Sequence, residues 1–429
     1  MTAQGPVVVV GGGLAGLTAA TFLAGAGRSV RLFEGAAALG GRAQTEERDG
    51  FSFNLGPHAL YTRGEGRRLL RELGVEFTAH PPASNGLFAS LGGELHVLPA
   101  APASLLRTSL FSFREKLQTG RLLAGLPKLD LDAWRGRAVS EWIAGAAASP
   151  RVKLLLEALV RVATYTHAPD QLDAAAALRQ IQLALAGNVL YVDGGWRRLV
   201  EGLERRAREA GVLITTGARV ERLEVAGGAV AGVVLDDGSR VEAGDVVVAG
   251  DPATAVRLAG EERAPELAHA IAALVPVRAS CLDLALSRLP RPDRNFALGL
   301  DRAFYLSVHS ATAALAPAGA ALVHVARYLA PEEPAGRDEM RAALEGFADE
   351  VQPGWRDVVV RQRLMPSMTV SHGLPARQGP RPGPRVAEIA GLWLAGDWVG
   401  GDGLLADAAI ASAAAVARAI GAESSRKVA

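Results

Sequence analysis

Val7-Val8-Val9-Val10-Gly11-Gly12-Gly13-Leu14-Ala15-Gly16-Leu17 is the stretch on which the fold turns. Four consecutive β-branched residues suit a strand buried on both faces of a parallel sheet. Leu14 to Ala26 continues with helical composition, and Val30 to Glu34 returns as a second strand, so the three segments predict a βαβ unit. Between the first strand and the helix stands Gly11-x-Gly13-x-x-Gly16. In that pattern Gly11 allows the tight turn, Gly13 lets the backbone approach a pyrophosphate, and Gly16 permits close packing of helix on strand. Leu14 and Ala15 open a helix whose free amides and dipole favour an anion. Glu34 ends the second strand 18 residues after Gly16. A carboxylate there accepts hydrogen bonds from a ribose 2′-hydroxyl and disfavours a 2′-phosphate, so a dinucleotide other than NADP is expected.

Outward from this unit the pattern alternates. From about Pro81 to Gly187 the composition reads as helices with apolar and arginine-bearing faces, punctuated by prolines. Val212 to Thr215, Val220 to Val225, Ala229 to Leu235 and Val246 to Ala249 are β-rich, with turns at Gly227-Gly228 and Asp237-Gly238 that suit a meander. Val277 to Leu286, Ala303 to Val308 and Ala320 to Tyr328 predict a further sheet, with a helix over Glu339 to Val351 and a Pro/Gly/Arg-rich connector from Gly373 to Pro384. A strand at Leu392 to Ala395 runs into a helix from about Leu405. The expected fold class is α/β, with a discontinuous Rossmann-type domain (1–78, 188–272 and 386–429). A second, α+β substrate domain (79–187 and 273–385) carries a helical insertion.

Further motifs say which dinucleotide. Gly40-Gly41-Arg42 follows the ribose carboxylate, and Phe53-Asn54-Leu55-Gly56-Pro57-His58 forms a second glycine-containing turn. Gly194-Gly195-Trp196 precedes a helix, and Arg219-Val220-Glu221 follows a strand. Near the end stand Leu394-Ala395-Gly396-Asp397-Trp398 and, after Leu405-Ala406, Asp407-Ala408-Ala409-Ile410. Over its whole length the chain resembles the flavoprotein superfamily of flavin amine oxidases, protoporphyrinogen oxidases and carotenoid (phytoene) desaturases. The resemblance implies FAD, held at Gly11, Gly13, Leu14, Ala15, Gly16, Glu34, Gly40, Gly41, Arg42, Gly56, Pro57, His58, Val220, Gly396, Asp397, Leu405, Ala406 and Ala409. Within it Val220 contacts adenine through its backbone and Asp397 holds ribityl hydroxyls. The chain departs from the superfamily at Asn54, where an acid is usual, and at Ala408 and Ala413, where glycines are usual. Lysine occurs only at 116, 128, 153 and 427, so the lysine that many amine oxidases place near flavin N5 has no counterpart between about 275 and 330. Aromatic residues are 5% of the chain, and only Trp393 and Trp398 accompany the closing motif, which leaves the paired aromatic cage of amine oxidases hard to populate. Gly396-Asp397-Trp398 and Gly56-Pro57-His58 resemble the desaturases more closely, and Met365-Pro366 with His372 resembles a protoporphyrinogen oxidase segment.

These features point to an FAD-dependent oxidoreductase. It would take a hydride from a carbon-carbon or carbon-nitrogen bond of an apolar small molecule and pass electrons on to oxygen or another acceptor. An amine oxidase without the usual lysine, a flavin-dependent isomerase and a non-catalytic FAD-binding protein stand as alternatives. The candidate catalytic residues are His58 and His372, since imidazole changes charge near neutral pH; a buried histidine satisfied by backbone is the other reading of each.

Composition excludes other classes. The 429 residues carry 46 basic and 45 acidic side chains, a net charge of +1, with no basic block of the kind nucleic-acid binding requires. Cys281 is the single cysteine, so an internal disulfide or a thiolate metal cluster is excluded; it reads as a core residue, no metal is expected, and a cytoplasmic setting fits. No signal peptide is expected at the N-terminus. The longest apolar run, Leu404 to Ile420, is interrupted by Asp407 and Arg418, so no bilayer span is expected. Leu105 to Leu126 interleaves leucines and phenylalanines with Arg107, Arg114, Lys116 and Arg121. Such a stretch either lies on an anionic membrane surface as a peripheral contact or packs on the core with its arginines in water. The oligomeric state is open.

Overall fold

The structure, a computed structural model, describes residues 5–377, 379, 381–401 and 403–428. Its first layer is a five-stranded sheet in the order Leu213–Thr216, Val30–Glu34, Val7–Val10, Asp245–Val248, Leu392–Leu394, every pair of which is parallel. Val7 and Val9 face a core shared with the helices Leu14–Gly25, Arg197–Glu209 and Leu405–Val428, while Val8 and Val10 face one shared with the meander Val220–Ala226, Ala229–Leu235, Arg240–Glu242. Burial on both faces is the reason the strand is apolar at every position.

The second sheet has seven strands, in the order Val359–Ser371, Val277–Leu286, Ala321–Leu329, Phe304–Val308, Phe296–Gly299, Leu87–Leu91, Glu94–Val97. Its pairs are antiparallel except for Phe296–Gly299 with Leu87–Leu91. Helices between 139 and 187 cover one face, and the helix Arg337–Val351 covers the other. The expected all-helical stretch from Pro81 therefore begins with a hairpin, Leu87–Leu91 and Glu94–Val97, joined by Gly92-Gly93, both at positive φ. A two-residue turn of that conformation matches the twist of paired strands, and the insertion becomes helical only from Pro102.

Leu105 to Leu126 is likewise not one element: Pro102–Arg107 and Phe113–Gly125 are separate helices, with Leu110 and Phe111 buried between them. In the closing helix, Leu405–Glu423 is long and apolar enough to cross a bilayer by composition, yet half of it is buried inside the protein. It packs in one core with Leu14–Gly25 and with Leu69 and Leu70 of the helix Glu65–Glu72, as a core helix does. Asp407 stands in the first turn of this helix, where its Oδ1 accepts the Gly66 N–H at 2.9 Å.

Candidate functional site

A cavity of about 860 Å³ runs along the C-terminal ends of the parallel strands and on beneath the seven-stranded sheet. At its first end Gly11 takes φ +109°. A Cβ on Gly16 would lie 1.8 Å from the Gly11 carbonyl oxygen, so the third glycine is a packing requirement rather than a cavity wall. The helix Leu14–Gly25 starts at Gly13 with no side-chain cap and no acid in its first turn, so its N-terminal amides are left for an anion. Gly13, Leu14 and Ala15 line the cavity. Gly40 and Gly41, both at positive φ, close against this turn, with Gly40 N donating to Gly12 O at 2.8 Å. Glu34 holds the turn from the other side: its Oε2 accepts Gly12 N at 2.6 Å and its Oε1 accepts Ala36 N at 2.8 Å. Both oxygens keep lone pairs for a further donor. Arg219 and Val220 complete this end. The Val220 carbonyl already accepts from Arg257 Nη2 at 3.1 Å, so an adenine contact there would share that carbonyl or use the N–H.

Deeper in, Asp397 follows the strand Leu392–Leu394 and is almost fully buried. The Arg42 guanidinium grips it in bidentate fashion, Nη1 to Oδ2 at 2.8 Å and Nη2 to Oδ1 at 2.9 Å. His372 adds its backbone N–H at 3.1 Å and Nδ1 at 3.4 Å. Burial by itself pushes the Asp397 carboxyl up, but the Arg42 charge and the hydrogen bonds from His372 and Arg42 outweigh it and hold the group well below the usual carboxylate range. Arg42 Nη1 also donates to Val370 O at 2.8 Å, which links the second glycine motif, the edge strand Val359–Ser371 and the closing motif. Gly396, Leu405, Ala406 and Ala409 complete the wall around Asp397.

His58 lines the cavity with both ring nitrogens facing carbonyls, Nδ1 to Gly56 O and Nε2 to Arg42 O, each at 3.0 Å. Its ring meets Trp196 edge-on, with centroids 4.7 Å apart. Burial pushes its pKa down against the pull of the two carbonyls. A neutral ring can donate to only one of these carbonyls, which ties it either to the Gly56-Pro57 turn or to the Arg42 backbone. Gly56, at φ +83°, lies behind the wall, where a Cβ would meet Met368 Cε at 2.8 Å.

Asp251, Thr254, Arg257 and Thr369 also line the cavity, and the part of the wall built by Leu55, Pro57, Ala59, Ala279, Ala326, Met365 and Met368, with Tyr165 and Trp196, is apolar. Sequence reasoning looked for aromatics at the closing motif. Trp393 and Trp398 are instead buried in the cores, their Nε1 atoms bonded to Asp245 Oδ1 at 3.0 Å and to Gly250 O at 3.1 Å. Trp196 was marked by the Gly194-Gly195 pair before it, but Tyr165 carried no signal. It ends the helix Pro150–Thr164 in the left-handed conformation, φ 58°, with its hydroxyl 3.4 Å from Pro57 O. The two methionines share the wall because the edge strand bulges at Pro366 and Ser367: Met365 pairs with Cys281 and Met368 with Ala279.

The superfamily departures have local explanations. Asn54 Oδ1 accepts from Trp196 N at 2.9 Å and from Thr45 Oγ1 at 2.7 Å and does not line the cavity, while Ala408 and Ala413 are fully buried. Cys281 is buried and donates to Asp283 Oδ1 at 3.3 Å; burial, with the Asp283 carboxylate beside it, pushes its thiol well above the usual range. His324 Nδ1 and Arg363 Nη2 also contact Asp283, each at 2.6 Å, so a guanidinium already supplies positive charge to the cluster formed by Cys281, Asp283 and His324.

An uncapped helix N-terminus, a carboxylate on the ribose side and a second glycine turn along one continuous cavity fit FAD. Residues 14–323 match the profile of the flavin containing amine oxidoreductase family. Over 276 residues the chain is 29% identical to the zeta-carotene-forming phytoene desaturase of Myxococcus xanthus, a match covering 57% of this chain and 53% of that protein. Over 275 residues it is 24% identical to the 4,4′-diaponeurosporene oxygenase of Staphylococcus aureus strain Mu50, covering 56% and 54%. The chain thus spans about half the length of the curated relatives it matches. In fold it is similar to the putative protoporphyrinogen oxidase of Exiguobacterium sp. 255-15, with a TM-score of 0.77 and 18% identity over 99% of this chain and 100% of that one. The chain belongs to the flavin containing amine oxidoreductase family.

Proposed function

We propose that this enzyme oxidises an apolar small molecule at a carbon-carbon or carbon-nitrogen bond, with oxygen or another small acceptor taking the electrons onward. The observation that carries this reading is the apolar wall formed by Leu55, Pro57, Ala279, Ala326, Met365 and Met368, in a cavity that no lysine lines among the described residues. Bound FAD supplies the hydride acceptor, so the protein's part is positioning and the exclusion of water. Tyr165 and Trp196 offer flat faces to a planar or polyene substrate, and the methionines adapt to its outline. Burial pushes the Tyr165 phenol well above its usual range, so it stays protonated and serves as a donor. Where a proton must also leave the substrate, His372 is the wall histidine whose Nε2 makes no hydrogen bond among the described residues, and its Nδ1 faces Asp397. The names of the desaturase, oxygenase and protoporphyrinogen oxidase relatives support an apolar substrate class.

The test is anaerobic mixing of the FAD-loaded protein with a polyene or a porphyrinogen in detergent, and separately with primary amines. Bleaching of the flavin is expected with an apolar compound. Rapid bleaching by simple primary amines and by none of the apolar compounds would overturn the proposal.

A further inference from the structure

We infer that the helix pair Pro102–Arg107 and Phe113–Gly125 docks the protein on an anionic bilayer surface. Seven large apolar side chains are exposed among the described residues, and three of them lie here: Leu106 at 72%, Phe113 at 74% and Leu117 at 48% exposure. The first helix buries no side chain and the second buries only Thr119. The pair is nonetheless anchored, because Leu105, Leu122 and Leu123 pack against the helical core between buried Leu110, Phe111 and Leu126. The outward residues are therefore additional to what the fold requires. Phe113 and Leu117 are four apart and share one helix face. Lys116 Nζ donates to Leu106 O at 2.7 Å, which ties the end of the first helix to the start of the second.

Charge selects the occupant. Between residues 101 and 128 stand five basic side chains, Arg107, Arg114, Lys116, Arg121 and Lys128, and one acid, Glu115, in a chain whose net charge is +1. The Glu115 carboxylate is engaged locally, accepting from Ser112 and Ser149. Arg107, Arg114 and Arg121 form no ion pair among the described residues. Arg114 and Arg121 border the same shallow groove as Leu117 and Leu122, so cations and apolar side chains alternate over one surface. Long basic side chains that lay their stems along apolar neighbours and present their heads at phosphate level, with leucine and phenylalanine entering the acyl boundary, match a lipid headgroup layer.

This inference does not depend on the substrate reading, and its test needs no turnover. The FAD-loaded protein is floated with vesicles of phosphatidylcholine alone and of phosphatidylcholine mixed with phosphatidylglycerol, at low and high salt. Binding to the anionic vesicles that weakens with salt is expected. Arg114→Gln and Arg121→Gln should each lower the partition coefficient about fivefold. Phe113→Ser with Leu117→Ser should lower it by about tenfold or more at unchanged FAD content. Leu213→Ser, at an exposed leucine elsewhere, should leave it unaltered. Equal binding to neutral vesicles, or binding that survives the double substitution, would overturn the proposal. So would the absence of vesicle binding together with self-association that the same substitutions abolish, since a second copy would then be the occupant.

Discussion

Replacing Asp407 with asparagine should stabilise the folded protein, and more so as the pH rises. Asp407 sits in the first turn of the closing helix, its Oδ1 on the Gly66 N–H and its Oδ2 without a hydrogen-bond partner among the described residues. Burial, helped by the Glu65 charge and opposed by the Gly66 N–H, pushes its carboxyl up from 3.8 to about 6. An acid with a raised folded pKa binds its proton more tightly folded than unfolded, so its contribution is complete below the unfolded value and is lost as pH rises through the folded one. With these two values the loss is about 1 kcal/mol at about pH 4.5 and about 3 kcal/mol at about pH 8. Asparagine keeps an oxygen for Gly66 and has no charge to bury, so the gap between variant and wild type should widen by about 2 kcal/mol across that range. Urea unfolding of the FAD-loaded proteins, followed by tryptophan fluorescence at both pH values, measures this. A gap that stays constant, or that widens toward acid, would refute the reasoning.

Gly16→Ala would put a methyl 1.8 Å from the Gly11 carbonyl oxygen, and backbone cannot yield as a side chain does. Loss of about 3 kcal/mol or more, or failure to retain FAD after dialysis, is expected. Glu34→Ala removes the acceptor for Gly12 N and Ala36 N along with any ribose contact, so FAD should dissociate about tenfold to a hundredfold more readily by fluorescence titration, with Glu34→Gln between the two. Arg42→Met leaves Asp397 buried without its guanidinium; the carboxyl should titrate upward, and FAD release should become pH-dependent in a range where the wild type is flat. NADPH should not bleach the flavin in anaerobic stopped flow, since no second strand-linked glycine fingerprint with its carboxylate follows residue 34.

The nucleotide half was legible because its physics is local. Val7 to Val10 has to be apolar on both faces, and Gly11, Gly13 and Gly16 meet requirements set within one turn. The second sheet was legible only in its central strands. Val359–Ser371 lies at its edge, half-exposed and holding Pro366, so it shows neither clean alternation nor an apolar run. Its bulge is what turns Met365 and Met368 to one side, and no periodicity foretells that. The Arg42–Asp397 grip joins two motifs whose partnership depends on the folded sheet. Tyr165 reaches the cavity only because a helix stops in the left-handed conformation in front of it.

The separation of Arg42 and Asp397, 355 residues apart along the chain, also sets a timetable. A ribosome adding about 5–20 residues per second leaves roughly 20 to 70 s between the emergence of the two. Over that interval the first βαβ unit is present, but the strand Leu392–Leu394 has not yet covered the edge at Asp245–Val248. The nascent protein thus carries a glycine turn ready for pyrophosphate long before it has a site that can enclose the isoalloxazine ring. Enclosure of the site has to wait for the strand Leu392–Leu394 to join the sheet, and a polypeptide truncated shortly before Leu392 would keep an open sheet edge and a liability to aggregate.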